Sequence, residues 1–395
     1  MKQDENYIYA ITIDDISDKY PVLYYSPLTR QVSFEPIASP DVGHMPVSLR
    51  SVDDLRKMSV LPNHRCNFKC DYCYAANSRN AEELELNIAD KALAYFINRK
   101  RTCRPLSVAI LGGGEPMLSW PVTRHCIEEA RRLASGQDIH LEITVVTNGS
   151  IVDDEIIDTF VANDVIVNAS FDLISESNLR GGFENVKDNI KLMCRRGVYV
   201  TINSTVTPAN VGDMKRMVKN AKEWFPAVEF MIFEPVIARH LFADAKSLRN
   251  FYGGYVGNFF DARDYAAGMG IDLTCRILKS LDGVHDRGCD GRFNLCPNGD
   301  VTICYCTASG NDPNFENRLF GKVDASGVHF FEDRFQNICN ENVFSMPKCE
   351  HCFAKYNCAG GCMLPNDRYD ECFLDEICRF NKEFIRRELL RRAVR

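Results

Sequence analysis

Between residues 57 and 235 the chain repeats one pattern six times: a short apolar run of strand character, followed in most cases by an amphipathic helical stretch. The runs are MSVLP, LSVAILGG, IHLEITVVTN, DVIVNASFD, VYVTINSTVT and VEFMIFEPV, with segments such as FENVKDNIKLMCRRG between them. No other feature limits the fold so strongly. Near-continuous apolar strands suit a parallel sheet buried on both faces, and each helix carries the chain back to start the next strand at the same end. Such crossovers are right-handed, so six units predict an α/β fold built on a partial (β/α)6 TIM-like barrel. Its chemistry is expected in the loops after the C-terminal ends of the strands.

Around that barrel the chain divides into four stretches. Residues 1–50 read as a small N-terminal β appendage, 51–240 as the barrel, 241–274 as a helical connector and 275–395 as a cysteine-rich C-terminal domain. The last of these closes on a basic amphipathic helix, DEICRFNKEFIRRELLRR, whose charges read as a solvated face or as a contact for an acidic leader. The N-terminal runs YIYAITI, PVLYY and QVSFEP alternate as strands do and are parted from the barrel by PIASPDVGHMP. Their edge suits strand addition by a leader peptide, or the strands form a hairpin covering the barrel bottom.

Of 395 residues 45% are hydrophobic and 26% charged, which excludes disorder. No apolar run reaches the roughly 18 residues of a membrane span. MKQDENYIYA lacks the basic and apolar regions of a signal peptide, so a cytoplasmic protein with no membrane partner is expected. A net charge of −7 supplies no basic field for nucleic acid, which leaves a small molecule or peptide as the expected partner. Eighteen cysteines stand out, twelve of them between 275 and 378. In a reducing compartment that density predicts metal or cluster ligation in place of disulfides. Cys103, Cys126 and Cys194 fall on helical or strand-flanking segments and read as small core residues.

The loop after the first barrel strand carries CNFKCDYC, three cysteines where a closed structural site wants four ligands. A four-iron cluster needs a ligand on each iron, so three thiolates leave one iron for an exogenous chelator. A zinc site shares the spacing; GGGEP after the second strand distinguishes the two. Together CNFKCDYC and GGGEP resemble the radical S-adenosylmethionine (SAM) superfamily, in which the amine and carboxylate of SAM occupy the open iron. The resemblance covers residues 57–235 and continues into the tail.

It implies that Cys66, Cys70 and Cys73 hold a 4Fe-4S cluster and that Tyr72 lies by the adenine. Gly113, Gly114, Glu115 and Pro116 would meet the SAM amino group, the glycines because a missing Cβ lets backbone come close to a ligand. Ser170 and Asp172 in SFD would touch the ribose or carboxylate, and Arg180 would pair with that carboxylate. This sequence departs from the family in lacking a glycine after Asp172 and in a shorter loop before Arg180.

In the tail, Cys289-x9-Gly299-x4-Cys304 and Cys349-x2-Cys352-x5-Cys358-x3-Cys362, followed by Cys378, resemble the SPASM extension. That extension carries auxiliary 4Fe-4S clusters in enzymes that modify peptides and proteins. The resemblance assigns Cys289, Cys304 and Cys362 to an inner cluster and Cys349, Cys352, Cys358 and Cys378 to an outer one, with Cys372 competing for the last place. An eighth thiolate would come from Cys275, Cys296, Cys306, Cys339 or Cys372. Cys275 is preferred because the family's extra ligand often lies upstream. A pair of zinc knuckles is the alternative for the tail.

The implied activity is reductive cleavage of SAM to a 5'-deoxyadenosyl radical that oxidatively modifies, by crosslinking, a ribosomally made precursor peptide. A cytosolic electron donor is the second implied partner. Sulfatase-maturing members carry an aspartate base where this chain has Tyr305. A phenol, with a reference pKa near 10, is a poor base at pH 7, which favours the peptide reading. Formation of a peptide-derived cofactor, and an iron-sulfur or zinc electron carrier or scaffold, remain as alternatives.

Overall fold

The structure is a computed structural model and describes residues 7–12, 22–38, 47–101 and 105–394. Cys103 and most of PIASPDVGHMP lie outside the described residues. Three short strands, β1 (Tyr9–Thr12), β2 (Val22–Ser26) and β3 (Gln31–Ser33), form an antiparallel sheet of their own. This sheet docks on the C-terminal region. The Tyr25 hydroxyl donates to Asn357 Oδ1 at 2.7 Å, the Tyr7 and Tyr356 rings lie 5.5 Å apart, and Arg30 Nη1 donates to the Asp282 carbonyl. These contacts differ from a hairpin covering the barrel bottom, because the buried apolar partners sit on the tail.

The six apolar runs form β4 (Lys57–Val60), β5 (Leu106–Ile110), β6 (Leu141–Thr147), β7 (Val165–Ser170), β8 (Tyr199–Val206) and β9 (Phe230–Pro235), each parallel to the next. Helices α1 (Leu86–Phe96), α2 (Trp120–Gln137), α3 (Asp154–Ala162), α4 (Phe183–Arg195) and α5 (Met214–Trp224) return the chain between them. Burial alternates along the strands: Ile143, Val145, Val165, Val167 and Ala169 are buried, and the residues between them less so. That period of two divides the faces of the sheet and fixes the register, since a slip of one residue would turn every buried side chain over.

The sheet does not stop with the barrel. β10 (Asp272–Thr274) adds in parallel beside β9, and β11 (Phe293–Leu295) adds in parallel beside β4. From β11 the sheet continues antiparallel through β12 (Asp300–Thr302), β13 (Leu319–Asp324) and β14 (Gly327–Phe330), eleven strands in all. The C-terminal region is thus grafted onto the β4 edge, whose free N–H and C=O groups it satisfies. This pairing brings the tail cysteines alongside the loop that follows β4.

The long helix α6 (Ala245–Gly268) starts at Asp244, whose side chain accepts from Ser247 N at 2.7 Å. Against it lies the C-terminal helix, Glu371–Val394. Tyr252 stacks on Phe380 with centroids 4.3 Å apart, and Phe384 meets Phe259 and Phe260 at 5.2 and 4.9 Å. Glu376 and Glu388 are also buried, paired with Arg249 and Arg263. The buried stripe of this helix therefore includes charges, because each meets a cation on or beside α6. Phe384→Ala is expected to destabilise the fold by about 3–5 kcal/mol, read as a lowered urea midpoint, since it empties a fully buried aromatic site. Among the described residues no helix is long and apolar enough to cross a membrane.

Candidate functional site

Every loop that matters leaves the C-terminal end of a barrel strand. The CNFKCDYC loop follows β4, GGGEP follows β5, Asn148 follows β6, Asp172 follows β7, and Thr205 lies in the last turn of β8. In the first loop the thiols of Cys66, Cys70 and Cys73 are electrostatic neighbours, partly exposed, and burial raises the pKa of the first two. Their sulfurs receive donors: Phe68 N–H to Cys66 at 3.5 Å, Asn148 Nδ2 to Cys66 at 4.0 Å, and Arg79 Nη2 to Cys73 at 3.6 Å. Thiolates want such donors, so these residues fit an iron-sulfur cluster. Among the described residues no three His, Cys, Asp or Glu side chains are placed to hold a single metal ion. Ligands that each take a different iron stand wider apart than ligands of one ion.

The glycines of GGGEP are needed for the packing of two loops. A Cβ on Gly113 would fall 2.3 Å from His64 Nδ1, and one on Gly114 only 1.8 Å from the Arg65 carbonyl. They let the second loop pack onto the stem of the cysteine loop, where Glu115 N–H donates to Arg65 O at 2.7 Å and Asn63 Nδ2 to Glu115 O at 3.1 Å. The Glu115 carboxylate is 2% exposed and already occupied. Oε1 accepts from Thr147 Oγ1 at 2.6 Å and Met117 N at 3.2 Å, and Oε2 accepts from Asn148 N at 2.7 Å. It therefore ties β5 to β6, and burial pushes it up to about 6 despite these donors. Pro116 opens the short 3-10 turn that Glu115 caps.

On the far side, Tyr72, Asp172 and Arg180 come together. The Tyr72 hydroxyl donates to Asp172 at 3.1 Å, Arg180 Nε donates to Asp172 Oδ1 at 3.1 Å, and Arg180 Nη2 reaches Thr205 Oγ1 at 3.3 Å. The guanidinium carbon lies 5.3 Å from the Tyr72 ring centroid. Asp172 is buried, and its charge is matched by Arg180 within the protein. Burial raises the Tyr72 pKa, so the phenol stays a donor at pH 7. Ser170 ends β7, half-buried.

The tail cysteines gather in two groups. Cys349, Cys352, Cys358 and Cys378 are electrostatic neighbours, and Asn381 Nδ2 donates to Cys358 Sγ at 3.2 Å. Cys372 is exposed. Cys289, Cys304 and Cys362 form the second group. Cys275 is 1% exposed, its thiol against the Tyr255 hydroxyl and beside Glu234. Cys126 is buried in α2, and Cys194 lies in α4, half-buried.

The sequence reading missed Asn148, Thr205, Arg79 and Tyr74. Polar residues where apolar strands end, as in VVTNG and NSTVT, were the available signal. Tyr74 links the halves: its ring meets that of Tyr305 edge-on at 6.0 Å, and Cys73, Cys304 and Cys306 all bear on its hydroxyl.

Residues 60–221 match the profile of the radical SAM superfamily, so this part of the chain is a radical SAM domain, which works with a 4Fe-4S cluster and SAM. Over 371 residues the chain is 20% identical to the cysteine-type anaerobic sulfatase-maturating enzyme of Clostridium novyi, covering 82% of this chain and 95% of that one. It is also 20% identical to the radical SAM cyclopropyl synthase TigE of Paramaledivibacter caminithermalis, over 39% of this chain and only 36% of that protein. Its fold is similar to native anSMEcpe with bound AdoMet and Cp18Cys peptide, with a TM-score of 0.65 and 18% identity over 85% of this chain and 98% of that one. It is similar too to Streptococcus suis SuiB bound to precursor peptide SuiA, with a TM-score of 0.58 and 16% identity over 80% of this chain and 74% of that one.

Proposed function

We propose that the chain is a peptide-modifying radical SAM enzyme that oxidatively crosslinks a ribosomally made peptide. The observation that carries this reading is the tail's graft onto β4, which sets a second cysteine group across Tyr74 and Tyr305 from Cys66, Cys70 and Cys73. A fold with several cysteine groups in reach of one another suits a reaction that returns an electron from the substrate. The solved structures of similar fold with peptides bound support a peptide substrate.

In this reading Cys66, Cys70 and Cys73 hold the cluster that binds SAM. The GGGEP loop and the Tyr72–Asp172–Arg180 set wall the SAM site, and Ser170 borders it. When bound, cluster and SAM supply a 5'-deoxyadenosyl radical that removes a hydrogen atom from a substrate carbon. The protein's part is to orient the peptide carbon and keep water out. Cys289, Cys304 and Cys362 belong to an inner auxiliary cluster, and Cys349, Cys352, Cys358 and Cys378 to an outer one. Arg79 places a cationic donor on Cys73 Sγ. Arg79→Gln is therefore expected to shift the midpoint potential of that cluster to more negative values in an EPR-monitored titration, since a positive donor favours the reduced, more negative cluster.

A relative aligned over 82% of this chain is a sulfatase-maturating enzyme, yet Tyr305 argues against that activity here. The neighbouring Cys306 thiol and burial raise its pKa well above that of a free phenol, so it stays protonated and is no base at pH 7. The test is anaerobic co-expression with each short open reading frame beside this gene, followed by mass spectrometry of the product. Loss of two hydrogens per modification supports crosslinking; a modified product of unchanged mass overturns it in favour of epimerisation.

A further inference from the structure

We infer that Cys306 is the fourth protein ligand of the inner auxiliary cysteine group, which closes that site to substrate. The inference rests on the reading of Cys289, Cys304 and Cys362 as cluster ligands, and it replaces the upstream Cys275 expected from sequence. The chain curls around the Cys304 sulfur: Cys306 N–H donates to it at 3.4 Å, and Thr307 N–H donates to the Cys304 carbonyl at 3.1 Å. This turn sets Cys306 beside Cys304, with Cys362 as a further sulfur neighbour. Arg368 holds the turn from outside, donating from Nη2 to Cys306 O at 3.5 Å and from Nη1 to Tyr74 O at 3.0 Å. Cys306 is 9% exposed.

The other candidates are engaged elsewhere. Cys275 sits against Tyr255 and Glu234. Cys296 is fully buried in an apolar cluster with Leu61, Leu111 and Ala308, and its sulfur accepts from Asn294 Nδ2 at 3.5 Å. Cys339 lies on a helix beside Arg287, and Cys372 is exposed. A CxC turn in which Cys304 lies beside Cys289 and Cys362, and Cys306 beside Cys362, offers one thiolate per iron. The consequence is functional. With four protein ligands, the inner site has no open iron for a substrate thiolate, and its role is to pass electrons, with Tyr74 and Tyr305 between it and the SAM-binding loop.

The test uses the full chain with Cys66, Cys70 and Cys73 all replaced by alanine, reconstituted anaerobically so that only the auxiliary groups take up iron. This parent is expected to hold about 8 irons and to show an EPR spectrum that added cyanide leaves unchanged. Adding Cys306→Ser is expected to lower the iron content or render one cluster's spectrum cyanide-sensitive, whereas Cys275→Ser changes neither. A cyanide-sensitive parent overturns the inference without any further variant, as does an unaltered Cys306→Ser protein or the same change produced by Cys275→Ser. A parent that binds a few zincs and no iron instead overturns the auxiliary-cluster reading on which the inference rests.

Discussion

Cys66→Ala is expected to abolish conversion of SAM to 5'-deoxyadenosine and to lower the iron content of the full chain by about 4 from about 12. The effect is large because the chemistry belongs to the cofactor, and enzymatic rate enhancements of about 10⁶-fold or more vanish with it. The fold should survive. Cys66 lies on a loop, partly exposed, and its side chain fills no core position. Far-UV circular dichroism and the remaining iron, held by the tail, check that point. Cys194→Ala is the matched control: the thiol is half-buried in α4, away from the three-cysteine loop, and neither iron nor SAM cleavage should change. Retention of full SAM cleavage by Cys66→Ala would remove the basis for the proposed site.

Glu115→Ala is expected to destabilise the fold by roughly 3–5 kcal/mol, because Thr147 Oγ1, Met117 N and Asn148 N lose their acceptor inside the protein. Glutamine is no substitute. An amide oxygen turned to Asn148 N–H sets an NH2 group against Met117 N–H, while only Thr147 can reverse its role. The same residue gives the fold a pH dependence of defined sign. Its folded pKa, about 6, lies above the ordinary 4.5, so the protonated form is the one folding favours. Its contribution is full below 4.5 and is lost as pH rises through 6. The stability difference between wild type and Glu115→Gln should therefore shift by about 2 kcal/mol across that window, with wild type relatively more stable at the acid end. A flat difference in parallel urea titrations at each pH would refute the burial argument.

Much of the site was legible because its residues are adjacent in sequence. CNFKCDYC and GGGEP each fall on one loop, and a spacing of three or two residues within a loop keeps thiols together whatever surrounds them. The six barrel strands were legible for a similar reason: strands of a parallel sheet packed under helices are mostly apolar, and such runs are visible without a structure. Arg79 was not legible, since a donor to a cysteine sulfur carries no periodicity, and Asn148 showed only as a polar residue where an apolar strand ends. The packing role of the glycines was not legible, because the collision they avoid is with Arg65 and His64, and that contact exists only once β4 and β5 lie side by side.

What the amino-acid order determined by itself is local: the strand and helix alternation, the three-cysteine loop, and the outer group of the tail, whose first three cysteines lie within ten residues. What only the tertiary structure decided is which distant pieces meet. β11 could have begun a separate sheet; pairing with β4 instead carries Cys304 and Cys306 toward Tyr74 and leaves Cys275 beside Tyr255. The physical reason is that edge pairing is satisfied by any strand with free N–H and C=O groups, so side-chain spacing along the chain cannot specify it. Burial of the flanking apolar faces chooses the partner, and that choice exists only in three dimensions.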